Sequence, residues 1–309
     1  MSHGVRIKDR AFLVTGGGGF IGSHIVEALL EQGAQKVLIF DKTPLPICLT
    51  YLSSNPKFQY VQAGLDGMKE LESVIESVDG IFHMAVLPLG PSNENPDLAV
   101  QVNIEGALRV FKLAAIHGVK KVIYSSASSV YGDTLEIMDE SHPLNPNTFY
   151  GVSKLCAEFF LKPLKSKISY VILRYMNVYG PRQTNGLIPS VLKKIASGEA
   201  PVIYGDGSAS FDFVHVSDVV RCNLLAMEAD VTDEVFNVGS GEEFAVKQIV
   251  EMLIDYSGAK MEPKFDLSVS IPMIRRVGCS DKAKKILGYK PLISLIDGLR
   301  ELTREKVTA

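Results

Sequence analysis

Tyr150 and Lys154 are two residues whose types and spacing could perform proton chemistry. They are four positions apart, so a helix places a phenol and an ammonium on one face. A free tyrosine has a pKa of about 10 and is a poor base at neutral pH, but a neighbouring positive charge stabilises the phenolate and lowers that value. The pair predicts an acid/base centre, although the same spacing alone is common on helix surfaces.

Three glycines, Gly16, Gly19 and Gly22, are spaced by three residues between a predicted strand and a predicted helix. Bare backbone here lets a pyrophosphate approach closely, with the amides of the helix start directed at its charge. Asp41 ends the next predicted strand about 20 residues later, where a carboxylate accepts hydrogen bonds from an adenosine ribose and repels a 2′-phosphate. The pattern predicts a dinucleotide site with NAD favoured over NADP, a preference that Lys42 weakens. The alternative is a structural turn with a solvated Asp41.

An oxidised nicotinamide next to Tyr150 would add a second positive charge and lower the pKa of the phenol further. The glycine turn and the Tyr–Lys pair therefore support one another as parts of a hydride-transfer site.

The elements that must position these residues alternate between strand and helix over the first 175 residues, a pattern typical of βαβ units around a parallel sheet. The predicted strands cover residues 11–15, 36–41, 58–61, 80–84, 121–126 and 170–175. After Asn177, prolines and glycine-rich turns separate shorter elements, which predicts a smaller domain beside the sheet.

Five motifs occur in a fixed order along the chain. They are TGGGGFIGSH (15–24), HMA (83–85), SSASSVYG (125–132), YGVSK (150–154) and LRYMNVYGPRQ (173–183). With these motifs the chain resembles the extended short-chain dehydrogenase/reductase family, the NAD-dependent nucleotide-sugar epimerases and dehydratases, over nearly its whole length.

The resemblance implies an α/β fold in which a Rossmann-type, doubly wound parallel sheet over residues 1–176 binds NAD. A smaller α/β domain over 177–309 would bind a nucleotide-diphosphate sugar, with residues 211–226 crossing back to the first domain. Tyr150 would be the acid/base, and Lys154 would hold the nicotinamide ribose and tune Tyr150. The implied cofactor residues are Gly16, Gly19, Phe20, Ile21, Gly22, Asp41, Lys42, Met84, Ala85, Asn103, Ser125, Tyr150, Lys154 and Tyr175.

On the substrate side, the resemblance implies that Asn177 contacts the diphosphate. Leu187, Val202 and Tyr204 match positions around the nucleotide. One of Arg275 and Arg276 is expected to meet a phosphate, since a planar guanidinium suits bidentate recognition. A solvated basic pair is the alternative for these two arginines.

The chain departs from the family pattern at the position of a Ser or Thr that hydrogen-bonds the reacting hydroxyl, where it has Ala127. The loss of an aligned donor can cost about 3 kcal/mol of transition-state stabilisation. Ser126 or Ser128 is expected to serve instead. Two binding positions also differ: Gly64 replaces an adenine-contacting Asp, which would weaken NAD affinity, and Phe211 replaces a nucleotide-binding Arg.

Two further departures from the family pattern indicate which reaction the chain catalyses. Ser128 and Ser129 occupy positions where dehydratases and decarboxylases of the family carry acids, and without an acid elimination of water is poorly served. We therefore expect epimerisation at carbon 4 of a UDP-hexose or UDP-hexuronic acid through a keto intermediate. The alternatives are a dehydratase, decarboxylase or reductase of the same superfamily, and a non-catalytic NAD-binding regulator.

The composition narrows the possible partners. The chain has 309 residues and a formal net charge of −3, so it lacks the basic character expected of a nucleic-acid-binding protein. Apolar runs are too short to span a membrane, no cluster has metal-ligand spacing, and four widely spaced cysteines predict a reduced, cytoplasmic location. The resemblance suggests a homodimer formed by helices within 103–117 and 150–163.

Overall fold

The computed structural model describes residues 2–268 and 274–307, in which strands and helices alternate along most of the chain. The strands are β1 (Ala11–Thr15), β2 (Lys36–Asp41), β3 (Phe58–Gln62), β4 (Gly80–His83), β5 (Lys121–Ala127), β6 (Ser169–Tyr175), β7 (Asn177–Tyr179), β8 (Val202–Tyr204), β9 (Ser210–His215), β10 (Glu234–Val238), β11 (Glu243–Ala245), β12 (Lys264–Asp266) and β13 (Arg275–Arg276). The α-helices are α1 (Phe20–Glu31), α2 (Met68–Ile75), α3 (Leu89–Glu94), α4 (Pro96–Ala99), α5 (Ala107–Ile116), α6 (Phe149–Leu161), α7 (Leu187–Ala196), α8 (Val216–Glu228), α9 (Val246–Ser257), α10 (Asp281–Leu287) and α11 (Leu295–Val307). A π-helical segment, Val100–Gly106, leads into α5.

Seven parallel strands form the central sheet in the order β10-β6-β5-β4-β1-β2-β3. Six of them match the predicted strands to within one residue at each end, and the Rossmann-type parallel sheet is confirmed. The seventh, β10, was not predicted and lies outside the range 1–176. Its sequence, EVFNV, mixes polar and apolar residues, and only the fold shows that Phe236 and Asn237 are completely buried.

The sheet changes its direction of growth at β1, because β2 and β3 lie on one side of this strand and β4, β5 and β6 on the other. In open α/β sheets such a switch point forms a crevice at the carboxyl ends of the strands, where ligands bind. Gly16, Asp41 and Met84 all lie at this edge, directly after or at the end of their strands.

Helices cover both faces of the sheet. Ile25 and Leu29 of α1 share one apolar core with Val216 and Val219 of α8, while residues of α2, α5 and α6 fill the core on the other face. Helix α8 begins within the segment 211–226, ends at Glu228, and packs against α1 and against β5 and β6 of the large sheet.

A third apolar core lies beside the sheet and is built by α7, α9, α11 and β9. Strand β9 pairs with β7, β11 and β13, and β8 pairs with β12. The range 177–309 thus contains this smaller unit together with α8, β10 and α10, which pack with the large sheet. The domain boundary itself stays a prediction.

Two further features concern the described residues as a whole. None of their helices combines the length and apolarity needed to cross a membrane. The cysteines at positions 48, 156, 222 and 279 form no disulfide, and Cys222 is buried in the core between α8 and the sheet.

Candidate active site

The glycine turn is closed so tightly that side chains are excluded from it. Gly16 has a φ of +66°, and a Cβ there would lie 2.6 Å from the backbone nitrogen of Ala85. A Cβ on Gly22 would lie 2.2 Å from the carbonyl oxygen of Gly16. Helix α1 begins at Phe20, between Gly19 and Gly22, with no side chain capping its first amides. The turn therefore presents bare backbone donors, which suit a pyrophosphate.

A cavity of about 830 Å³ opens onto this turn. Its volume lies in the range typical of sites for large organic ligands. The implied cofactor residues that line it are Gly16, Gly19, Phe20, Ile21, Gly22, Asp41, Lys42, Met84, Ala85, Ser125, Tyr150, Lys154 and Tyr175. We call this space the dinucleotide cavity.

Asn103 is the implied cofactor residue that does not line the dinucleotide cavity. Asn103 is buried. Its side-chain oxygen accepts from the amide of Leu87, and its side-chain nitrogen donates to the carbonyl oxygen of Leu87 and to the Ser153 hydroxyl, the latter at 3.0 Å. The expectation that Asn103 forms part of the cofactor wall stays a prediction, and in the structure the residue links the loop after β4 to helix α6.

Asp41 is held at the cavity edge by its own neighbours. One carboxylate oxygen accepts from the amide of Gly18 at 3.0 Å, and the other accepts from the amide and hydroxyl of Thr43 at 3.0 and 2.8 Å. Gly18 and Thr43 were missed by the sequence analysis, because neither has a side chain that signals this role. A carboxylate has about four acceptor positions, so Asp41 retains capacity for a ligand hydroxyl.

Tyr150 and Lys154 lie in the first two turns of α6, a helix capped by Thr148, whose hydroxyl accepts from the amide of Gly151. Lys154 is buried and donates to the carbonyl oxygen of Ser125 at 2.6 Å. Its Nζ lies 5.8 Å from the centre of the Tyr150 ring. Tyr150 and Lys154 therefore lie on the same face of α6, as their spacing predicts.

The electrostatics differ from the sequence-based expectation. Burial raises the pKa of Tyr150 to about 12, and burial lowers the pKa of Lys154 to about 7, although the nearby Glu158 carboxylate opposes the second shift. The expected lowering of the phenol pKa by Lys154 is therefore outweighed by desolvation in the structure. A further positive charge next to Tyr150 is needed to bring its pKa down.

Ser126 and Ser128, the two candidates to replace the donor missing at Ala127, have different surroundings. The Ser126 hydroxyl donates to Glu158 at 2.5 Å, and the Glu158 carboxylate also accepts from the Nε and Nη2 atoms of the buried Arg174. Ser126 thus lines the dinucleotide cavity with its hydroxyl already engaged, and its role as a catalytic donor stays a prediction. Ser128 lies beside Ala127 and Tyr150 in a second cavity, and its hydroxyl makes no hydrogen bond to another described residue.

This second cavity has a volume of about 470 Å³ and is lined by Asn177, Leu187, Phe211 and Arg276 as well as Tyr150. The Nδ2 atom of Asn177 and the Nε atom of Arg276 are buried donors without a hydrogen-bond partner. Unpartnered buried donors are costly unless a ligand satisfies them. We call this space the substrate cavity, because its donors suit an anionic group.

Three implied substrate residues do not line the substrate cavity. Arg275 forms an ion pair with Glu243 and donates to the carbonyl of Leu135, whereas Arg276 pairs with Asp133 but keeps its Nε atom unpartnered. Val202 and Tyr204 are exposed on β8, because this strand turns Ile203 into the third core and its neighbours outward. The nucleotide contacts expected for Val202 and Tyr204 stay a prediction, as does the expectation that one arginine of the pair meets a phosphate.

The parallel sheet with its switch point, the glycine turn and the Tyr–Lys pair define a dinucleotide-binding protein of the short-chain dehydrogenase/reductase class. Within that class, the model of the NAD dependent epimerase/dehydratase family matches residues 12–239, and the chain belongs to this family.

Known relatives cover almost the entire chain. It is 33% identical to a putative UDP-glucose 4-epimerase of Methanocaldococcus jannaschii, over 94% of this chain and 96% of the relative. A crystal structure of UDP-glucose 4-epimerase with UDP-glucose from Thermotoga maritima superposes with a TM-score of 0.87 at 31% identity, covering 97% of this chain and 100% of that one. UDP-glucuronic acid 4-epimerase from Bacillus cereus, in complex with UDP-glucuronic acid and NAD, gives a TM-score of 0.87 at 29% identity, covering 96% and 99%. The resemblance to the extended family is confirmed.

Proposed function

We propose that the protein is an NAD-dependent nucleotide-sugar epimerase that inverts carbon 4 of a UDP-hexose or UDP-hexuronic acid through a keto intermediate. The observation that carries the proposal is the position of Tyr150, which lines both the dinucleotide cavity and the substrate cavity. A phenol at this junction is in reach of both a cofactor and a sugar. The relatives named above, which act on UDP-sugars, support the choice of substrate class.

The residues of the dinucleotide cavity fit NAD. The glycine turn and the start of α1 would hold the pyrophosphate, and Asp41 would accept from a ribose hydroxyl. Because its carboxylate is fixed by Gly18 and Thr43, Asp41 would also repel a 2′-phosphate. When bound, NAD supplies a hydride acceptor and a positive charge at the nicotinamide.

In the proposed reaction, the Tyr150 phenolate accepts the proton of the sugar 4-hydroxyl while the hydrogen on carbon 4 leaves as hydride, so that a carbonyl forms. After the keto sugar turns in the cavity, the hydride returns to the opposite face and Tyr150 gives back its proton. Lys154 supports the phenolate with its charge, and Ser128 donates a hydrogen bond to the reacting oxygen in place of Ala127. No net oxidation results.

The substrate cavity would hold the diphosphate through Arg276 and Asn177. Arg276 is the register partner of Phe211 across β13 and β9, so its guanidinium stands next to the position where the family arginine is replaced by Phe211. Phe211 contacts Phe213 edge-on and gives this wall an apolar surface. Arg276 thus supports nucleotide-diphosphate binding although position 211 lacks a charge.

The lining of the substrate cavity also favours epimerisation over the related reactions. Among the described residues that line it there is no aspartate or glutamate. A dehydratase needs an acid to protonate the leaving hydroxyl, and Ser128 and Ser129 offer none.

For assembly and location, we propose a homodimer that acts in the cytoplasm. The free cysteines suit a reducing compartment. Helix α6 exposes Phe149, Val152 and Phe159, which is unusual for a helix that carries catalytic residues at its other face. Val152 and Phe159 lie within the range 150–163 that is predicted to form the dimer contact, and Phe149 directly precedes it.

The proposal is tested by incubating the protein with UDP-glucose, UDP-glucuronic acid and their 4-epimers, followed by chromatographic analysis of the nucleotide sugars. Interconversion of one epimer pair with no net NADH formation is expected. Loss of water, loss of carbon dioxide or stoichiometric NADH consumption would instead establish one of the alternative reactions. Absence of product and of any absorbance change in bound NAD would favour a non-catalytic regulator.

A further inference from the structure

The dinucleotide cavity has a far end, distant from Tyr150, where neither the glycine turn nor Asp41 nor the Tyr–Lys pair supplies a ligand contact. Tyr150 and Ser125 lie at the β5 side of the switch point, whereas residues 63–66 directly follow β3. In the sheet order β5 and β3 are separated by four strand spacings, roughly 19 Å. If the nicotinamide lies next to Tyr150, as the proposed function requires, the base of the adenosine half must lie at the β3 end.

The walls of this end are suited to a flat aromatic base. Ala63 and Leu65 lie on one segment, and Leu98 and Val102 come from α4 and the π-helical segment. The polar groups at this end are Asp66, Gln101, Glu105 and Arg109. Two of them are already paired, since Arg109 donates to Glu105 at 2.9 Å. Asp66 makes no hydrogen bond or ion pair with another described residue.

The carboxylate of Asp66 folds back over Gly64. Residues 64–67 form a tight turn closed by a hydrogen bond from the amide of Gly67 to the carbonyl of Gly64, at 2.9 Å. A Cβ on residue 64 would lie 2.3 Å from the Oδ1 atom of Asp66. A side chain at position 64 and the present position of the Asp66 carboxylate therefore exclude one another.

We infer that Asp66 recognises the 6-amino group of adenine, taking the place of the carboxylate that position 64 lacks. A carboxylate accepts hydrogen bonds and cannot donate them, so a carboxylate that faces carbon 6 selects a base with a donor on that carbon. Adenine carries such a donor at carbon 6, whereas hypoxanthine carries a carbonyl oxygen there. The absence of a side chain at Gly64 then does not weaken NAD binding, because it makes room for Asp66.

The inference rests on the proposed NAD site and is tested by binding rather than by turnover. The full chain, freed of bound nucleotide, is titrated calorimetrically with NAD and with its hypoxanthine analogue, nicotinamide hypoxanthine dinucleotide. The wild-type protein is expected to prefer NAD by about tenfold or more, since a hydrogen bond to a charged group is lost and replaced by repulsion. Asp66→Asn should bring the ratio close to one, because an amide can accept from the amine or donate to the carbonyl.

Two further variants complete the test. Glu70→Gln removes an exposed charge from the start of α2, outside the cavity lining, and should leave the preference unchanged. Gly64→Asp in an Asp66→Ala background should restore much of the preference, since the carboxylate then reaches the same edge from position 64. Equal binding of both dinucleotides by the wild type, or an unchanged ratio in Asp66→Asn, overturns this inference alone. Failure to bind either dinucleotide overturns the proposed function as well.

Discussion

Burial shifts the pKa values of Tyr150 and Lys154, the two residues at the centre of the site, in opposite directions. It keeps Tyr150 protonated and brings the pKa of Lys154 close to neutrality, because both charged forms lose solvation. The pair is therefore not a preformed base. Its proton affinity depends on the charge placed next to it, and the site can accept a proton from a sugar hydroxyl only with a positively charged group nearby.

Tyr150→Phe tests the role of the phenol. The variant is expected to lose at least about 10²–10⁴-fold in kcat, since the group that exchanges the proton is absent. NAD binding should persist, because the glycine turn and Asp41 are untouched, and calorimetric titration with NAD checks this. Full activity of the variant would refute the assignment.

The two serines flanking Ala127 form a matched pair. Ser128→Ala should lower kcat by about 10- to 100-fold without changing the free energy of unfolding, because its hydroxyl makes no hydrogen bond to any residue that the structure describes. Ser126→Ala should leave kcat nearly unchanged but destabilise the fold by about 1–2 kcal/mol, since Glu158 loses a hydrogen bond. Denaturant unfolding and initial rates separate the two effects. The opposite pattern would make Ser126 the donor.

Lys154 makes stability depend on pH. Its pKa is about 7 in the folded state and near 10.5 when unfolded, so below pH 7 both states are protonated and the full cost of burying the ammonium is present. Between pH 7 and 10.5 the unfolded state binds more protons than the folded state, so the contribution of Lys154 to the free energy of unfolding rises with pH. Lys154→Met should therefore be more stable than wild type at pH 6–7, on the order of 2 kcal/mol after loss of the hydrogen bond to Ser125, and the gain should shrink toward pH 10. Thermal melts across this range check the sign, with the exposed Lys69→Met as control; a gain independent of pH would contradict it.

At the scale of the elements, the sequence predicts what depends on local spacing. The strand ends, the glycine turn and the i,i+4 pair on α6 all follow from short patterns, and the structure contains them. The identity of the substrate-cavity arginine does not follow, because adjacent strand residues face opposite ways and only the pairing of β13 with β9 sets which one faces the cavity. The same holds for Asp66, whose carboxylate is placed by the turn at 64–67.

Gly22→Ala tests the packing of α1 on the glycine turn. Inside a helix this change usually stabilises by about 0.5–1 kcal/mol. Here the new methyl would meet the carbonyl oxygen of Gly16 and the Cα of Gly17, which are backbone atoms and cannot rotate away. We expect a loss of about 1–3 kcal/mol in unfolding free energy and weaker NAD binding. Gly90→Ala in α3, where no atom lies within 4 Å of the added Cβ, is the control and should be neutral or stabilising; equal behaviour of the two variants would contradict the close approach.

At the scale of the whole molecule, the site joins parts of the chain that pack in separate cores. The dinucleotide cavity is built at the edge of the large sheet, whereas Ile188 and Phe213 from the wall of the substrate cavity belong to the third core. Tyr150 on α6 lies between them. In the proposed reaction, this arrangement would let one unit fix the cofactor while the other holds the diphosphate, so that the sugar itself would be free to turn.

The proposed homodimer depends on the exposed side of α6. Phe149, Val152 and Phe159 are 57%, 48% and 47% exposed and recur at helical spacing, so they form one apolar stripe that a second copy of the chain would cover. Phe159→Glu places a charge in this stripe, more than two turns from Tyr150, and should convert a dimer into a monomer in light scattering at micromolar concentration. Ile47→Glu, at a side chain that is 90% exposed and remote from α6 in sequence, is the matched control and should stay dimeric. A wild-type monomer, or a Phe159→Glu dimer, would show that the stripe is not the contact between subunits.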